Sequence, residues 1–396
     1  MADVRTAVQP IIDKHLGDTF PACSIYVMHG GRVMLDHAWG WIDPETRQIP
    51  TTIDTLFDLA SISKLFTATA FLSLVSEGRV SLDDPLINVI PEFDWLTPRP
   101  MDGGQDPHSK QRLATPPDLI GATVDPAEVT FRHLLTHTSG LPAWRDVFNV
   151  AGYPPMPFDM PERISRLLRW SRGLSILCAY PFVNEVGKAV LYSDIGLMLL
   201  GEAVSRLHGG ADLAAAVNAR VINPLGHEVV YNPIRDHGIA RERIAPTEDD
   251  VMWRKRRVWG EVHDENACGV GGVAGHAGLF ASAKAVAALG QAWLEGASLF
   301  KIDAGLAADA KRQHAETDGA RRGLGFALRA AVNASAGEHM SMETFGHTGF
   351  TGTSLWIDPQ HDLVVACLTN SVYPGRWHGG TLDFRRAVHD AIFEAI

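Results

Sequence analysis

Cysteine is scarce in this 396-residue chain: Cys23, Cys178, Cys268 and Cys367 stand far apart, and no CxxC pair occurs. A cysteine-based metal or redox motif is therefore missing, and Cys23 and Cys367 sit in apolar strand-like runs where buried structural thiols are expected. Basic runs are equally short. Arg254-Lys255-Arg256-Arg257 is the longest, and the formal charge is −11, so no electrostatic footprint for nucleic acid exists. No window is apolar for long enough to span a membrane. The opening stretch MADVRTAVQPIIDKHLGD mixes charge with apolar residues at helical spacing, unlike the continuous apolar segment of a signal peptide. The chain as written reads as cytoplasmic; one that had lost an export signal, and so was periplasmic or secreted, would read the same.

What remains is an ordinary globular composition, 46% hydrophobic and 20% charged. The length suits two or three domain-sized units, or one large core with an inserted lobe. Residues 3–16 have the spacing of an amphipathic helix. ACSIYVMHGGRVMLDHAWG (22–40) reads as a hairpin around Gly30-Gly31. A helix is predicted at roughly 61–77, ending near Gly78. Residues 94–128 are rich in Pro and Gly and predict a long irregular excursion. The pattern over 160–222 is helical. After a glycine-rich passage at 260–282 and a helix starting near Ser282 come the β-like runs GLGFALRA, ETFGHTG, TSLWIDP and LVVACLTN. A helix at 381–395 closes the chain. Strands at both ends with helices between predict one mainly antiparallel sheet, flanked by helices and built from residues 1–78 and 266–396. An inserted, mainly helical lobe at 79–265 would complete one functional unit.

The stretch FDLASISKLFTATAFLSLV carries the first chemistry. Lys64 falls on the interior side of the pattern Leu65, Ala68, Leu72, where an amine is costly unless it is used. Ser61 is either an N-cap beside an outward-pointing lysine, or a nucleophile sharing a helical face with Lys64. In the second case a base must take the hydroxyl proton. Burial and the helix dipole are expected to lower the Lys64 pKa from about 10.4. The Ser61 N–H would be one donor to an oxyanion. Two further stretches follow in order: LYSDIGLMLLG, with Tyr192 before an apolar helix, and FGHTGFTGTSLWIDP, with His347-Thr348-Gly349 on a strand. Taken singly, these are a capped helix start and a hairpin turn.

Together the three resemble the SxxK, Y-x-N/D and [KH]-T-G motifs of the serine β-lactamase and penicillin-binding protein superfamily. FDLASISKLFTATA, HLLTHTSGLP, YSDIG and HTGFTGTSLWIDP look like its class C β-lactamase, DD-peptidase and family VIII esterase branch, and the resemblance spans almost the whole chain. It implies a β-lactamase/transpeptidase-like fold with the active site in a cleft between sheet and lobe. Ser61 would be the acylated nucleophile and Lys64 its proton partner. Tyr192 would pass the proton to the leaving group, its phenol kept acidic by Lys64. The N–H groups of Ser61 and Phe350 would form the oxyanion hole, and His347, Thr348, Gly349 and Asp194 would meet the substrate. Two positions depart from the commoner pattern. Asp194 stands in place of an asparagine amide, where it would repel an anion or orient Lys64. His347 replaces a lysine with a group expected to titrate near neutrality.

No cofactor is implied, and no metal. His263, Asp264, Glu265 and His276 lack the spacing of a helix-borne site, and hydrogen bonds propping the GGVAGHAGLF loop are the expected role. His137 is expected to pin a loop, and Trp144, Trp253, Trp259 and Trp377 to line an acyl pocket or the core. The first functional expectation is a family VIII-like carboxylesterase acting on a small-molecule ester. A D-alanyl-D-alanine carboxypeptidase or class C-type β-lactamase, acting on an amide or β-lactam, is the alternative. A catalytically silent binding protein on the same scaffold is the third. Oligomeric state is not legible.

Overall fold

A computed structural model describes residues 3–210 and 212–396. Helix α1 (Val4–His15) leads into the antiparallel pair β1 (Ala22–His29) and β2 (Arg32–Gly40). Gly30 and Gly31 both take positive φ in the connecting turn, as a tight hairpin requires. The buried helix α2 (Ser63–Ser76) follows, then α3 (Asp194–Leu207) in the middle of the chain and α4 (Ala283–Leu294) after it. The last third supplies β3 (Ala315–Thr317), β4 (Ala320–Arg322), β5 (Ala327–Leu328), β6 (Phe345–Thr348), β7 (Ser354–Asp358) and β8 (Leu363–Thr369). Helix α5 (Thr381–Ala395) ends the chain.

The strands form one antiparallel sheet in the order β3-β4-β5-β6-β7-β8-β1-β2, so the two chain ends meet at β8 and β1. That pairing explains why LVVACLT is apolar at every position. Val364, Ala366 and Leu368 face the core under α4, while Leu363, Val365 and Cys367 face a second core under α1 and α5. All four cysteines are buried and free. Gly290 lets α4 lie close on the sheet, since a Cβ there would sit 2.7 Å from a Val364 methyl.

Three predicted elements differ. Helix α2 is buried from Ser63 to Leu74 rather than on one face, because α3 and the helical turns at 213–222 pack against it while Trp293 of α4 donates to Thr69 from the sheet side. The stretch 160–222 is not continuously helical: Arg166–Leu177 and α3 are separated by an irregular passage carrying Tyr192. Of GLGFALRA only Ala327–Leu328 pairs, whereas the Asp318-Gly319 turn before it makes the β3–β4 hairpin that the strand pattern missed. We propose that the division into 1–78 with 266–396 and 79–265 is topological rather than a boundary between separately folding units. One continuous core holds Leu65, Leu134, Leu197 and Phe280 from both parts. Among the described residues no helix is long and apolar enough to cross a membrane.

Candidate active site

Ser61 lies in a 3-10 turn, Ala60–Ile62, one step before α2, so the helix begins two residues later than expected. Ala60 takes φ 46°, a left-handed conformation that a residue with a Cβ adopts at a cost. The surroundings hold it there. The buried Asp58 carboxylate accepts the N–H groups of Ala60 (2.9 Å) and His263 (2.6 Å). Thr351 and Thr353 donate their hydroxyls to the carbonyls of Asp58 and Leu59. Gly349 completes the contact: a Cβ there would fall 2.6 Å from the Leu59 carbonyl oxygen, so only glycine lets the β6–β7 turn come this close. Phe350 thereby lines the same cavities as Ser61, and among the described residues the backbone N–H groups of Ser61 and Phe350 have no acceptor.

The capping alternative for Ser61 fails, because its side chain accepts from Lys64 Nζ (2.9 Å) and from the Tyr192 hydroxyl (2.7 Å) instead. Lys64 is 1% exposed. Its ammonium donates to Ser61 Oγ and the His276 carbonyl (3.0 Å) and forms an ion pair with Asp194 Oδ1 at 2.8 Å. Gly275 brings that carbonyl into place, since a Cβ there would strike the Leu197 carbonyl of α3 at 2.1 Å. Of the two roles expected for Asp194, the geometry is that of orienting Lys64.

Three electrostatic expectations are reversed. Burial pulls the Lys64 ammonium down, but Asp194 and Tyr192 outweigh it and its pKa is raised. Burial raises the Tyr192 phenol by more than Lys64 lowers it, so the phenol is not kept acidic. His347 does not titrate near neutrality. Burial, then Lys64 and Arg322, push it down to about 3, and its Nδ1 bonds the Thr348 carbonyl at 2.7 Å. At neutral pH the third motif carries no charge at this position.

His137 accepts the Ser193 N–H at 3.0 Å and fixes the segment holding Tyr192. His276 and Asp264 bond at 2.8 Å, and Asp264 also caps the short helix Glu265–Gly269. Donor atoms of Asp194, Asp264 and His276 lie within 4.8 Å of one another, with the Lys64 ammonium already bonded to Asp194. His263 pairs with Glu248 at 3.1 Å and stacks on Phe350. Ser61 and Tyr192 open on two cavities. The smaller, about 220 Å³, is bounded by Trp144, His263, Asp264, His276 and Phe350, with Pro107 and His108 reaching in from the irregular excursion. The larger, about 640 Å³, holds His347, Thr348 and Gly349. Trp253 and Trp259 pack against the core, and Trp377 is largely exposed. Sequence reasoning missed Arg322 and Arg385, which border the larger cavity. The Asp-Gly turn beside Arg322 was the available signal for the first; nothing local marked the second.

Three buried neutral imidazoles make stability depend on acid. His347 is held at about 3 and His389 at about 4, each by burial first, and burial also lowers His137 well below its ordinary value. Unfolding frees them to take protons below roughly 6.5. Their contribution is therefore complete above that pH and is lost progressively as pH falls toward the folded values. The expected result is a melting temperature that declines from pH 7 to pH 4, with a shallower decline in a His347→Gln/His389→Gln double variant. Identical slopes by circular dichroism would remove the imidazoles from the acid response.

A profile of the β-lactamase family matches residues 8–389. The chain is 30% identical over 387 residues to a putative D-alanyl-D-alanine carboxypeptidase of Salmonella agona, covering 91% of this chain and 81% of that protein. It is 30% identical over 389 residues to an N-acetylmuramyl-L-alanine amidase of Bacillus subtilis, covering 92% and 80%. The fold is similar to that of EstCE1, a hydrolase with promiscuous acyltransferase activity (TM-score 0.72, 19% identity, 99% of this chain and 98% of that one). It is also similar to that of a penicillin-binding protein homologue from Caulobacter crescentus (TM-score 0.68, 20% identity, 100% and 98%). The helix-flanked antiparallel sheet is thus the β-lactamase/transpeptidase-like fold, and the chain belongs to the β-lactamase family of serine hydrolases.

Proposed function

We propose that this protein hydrolyses small-molecule amides and esters through an acyl-enzyme on Ser61. The observation that carries the reading is Ser61 Oγ, held between Lys64 Nζ and the Tyr192 hydroxyl and beside two unused N–H donors. Lys64 rests as an ammonium and accepts a proton only after giving one up. Asp194 Oδ1, 2.8 Å away, takes it. The Ser61 proton then moves to Nζ and Oγ attacks the carbonyl carbon. The oxyanion is met by the N–H groups of Ser61 and Phe350. As the tetrahedral intermediate collapses, the Tyr192 O–H protonates the departing nitrogen or oxygen. The phenol regains its proton from Lys64, and Lys64 regains one from Asp194. The serine proton has in effect passed to the leaving group, and water reverses the sequence in deacylation.

A phenol that stays protonated favours amide cleavage, because an amine leaves only with a proton whereas an activated phenolate leaves without one. The two 30%-identical relatives, a putative carboxypeptidase and an amidase, point the same way. Carboxylesterase activity is the second reading, favoured by the uncharged His347, which offers a substrate carboxylate no cation in the third motif. The test compares a p-nitrophenyl ester, an acyl-D-alanyl-D-alanine peptide and nitrocefin on purified protein. Turnover of ester and peptide is expected, with nitrocefin slower. Ester turnover alone would favour the esterase. No turnover, together with no fluorophosphonate label, would leave a silent binding protein.

A further inference from the structure

Five arginines and no acidic side chain border the larger cavity beside Ser61, in a chain whose net charge is −11. Only Arg376 is neutralised among the described residues, by Glu248 and Glu265. Arg321, Arg322, Arg329 and Arg385 make no ion pair. Arg329 is buried and spends all its guanidinium donors on the carbonyls of Ala330, Gly337 and Glu338 and the Met342 sulfur, whereas Arg321 gives Nε to Gln313 and Nη1 to the carbonyls of Arg329 and Met342. Arg385 donates to the carbonyls of Gly349 and Thr353, directly under the turn that carries Phe350. Arg322 is the least satisfied. It has no acceptor among the described residues and lies over the Tyr192 ring, 5.4 Å from its centre.

Guanidinium groups stay charged at any working pH. Holding several of them in a part-buried cavity without counter-ions costs stability unless a ligand supplies the charge. Carbonyl oxygens satisfy some of the N–H groups but cancel none of the positive charge. One carboxylate would neutralise one of four. We infer that the larger cavity binds the part of the substrate carrying at least two carboxylates, one near Arg322 and Arg385 beside the scissile bond and another toward Arg321. This rests on the hydrolase reading above and narrows its substrate to polycarboxylate amides and esters. It also explains how the site tolerates an uncharged His347: the positive charge has moved to neighbouring arginines.

The experiment measures inhibition of p-nitrophenyl butyrate turnover by propionate, glutarate and tricarballylate, which carry one, two and three carboxylates on similar carbon chains. Turnover of this neutral ester reports the hydrolase reading by itself, so its loss and the failure of this inference are distinguishable. Competitive inhibition is expected to tighten about tenfold with each added carboxylate, as charge-assisted pairs with arginine imply. Raising salt should weaken tricarballylate much more than propionate. Arg322→Gln should reduce the preference for tricarballylate over propionate about tenfold, a ratio that a general loss of folded protein leaves unchanged. Equal inhibition constants for the three acids on the wild-type protein would overturn the inference. Pyrophosphate competing more tightly than tricarballylate would overturn the assignment to carboxylates and point to a phosphorylated substrate.

Discussion

Ser61→Ala is expected to reduce hydrolysis of every substrate to background, a loss of at least about 10⁴-fold in kcat, while the melting temperature stays within a few degrees of wild type. No other hydroxyl stands between an ammonium and a phenol at hydrogen-bond distance from both, with two free N–H groups beside it, among the described residues. Removing Oγ therefore removes the covalent step itself. The fold should tolerate the change because the Ala60–Ile62 turn is held by Asp58, Thr351 and Thr353, none of which uses the Ser61 side chain. Mass spectrometry after a fluorophosphonate should place the adduct on the peptide containing Ser61 and find none in the variant. A label elsewhere, or retained turnover, would overturn the nucleophile assignment.

Lys64→Ala should cost about 10³-fold or more in kcat with a much smaller change in KM, because the amine acts in proton transfer rather than in binding. The informative partner is Lys64→Arg. A guanidinium can pair with Asp194 and keep the local charge, yet it gives up no proton at working pH. If Lys64 relays the Ser61 proton to Asp194, arginine rescues stability but not turnover. Recovery of most activity in Lys64→Arg would make the residue an electrostatic prop and assign the base elsewhere. Asp194→Asn tests the other end of the relay. It removes the proton acceptor and the charge holding Lys64 in its ammonium form, so the pH–rate profile should shift to lower pH with a lower maximum. An unchanged profile would confine Asp194 to positioning.

The sequence by itself determined the local patterns: Ser61 and Lys64 three apart, Tyr192 before an apolar helix and His347-Thr348-Gly349 before a turn. That they should share one site was legible only through the family resemblance they carry together, and spacing alone put the start of the helix two residues too early. The sheet built from both chain ends was equally legible, because unbroken apolar runs at 22–28 and 363–369 have to be buried on both faces. Tertiary structure decided the charge states. A pKa depends on every group within a few ångströms, and what sets these comes from distant parts of the chain: Asp194 against burial for Lys64, burial and then Lys64 and Arg322 for His347, burial for Tyr192. It also decided the polarity of the larger cavity. Arg322 in a hairpin, Arg329 beyond it and Arg385 in the terminal helix look like ordinary surface arginines along the chain. Only the packing of that helix and the sheet edge around Ser61 turns them into one wall without counter-ions.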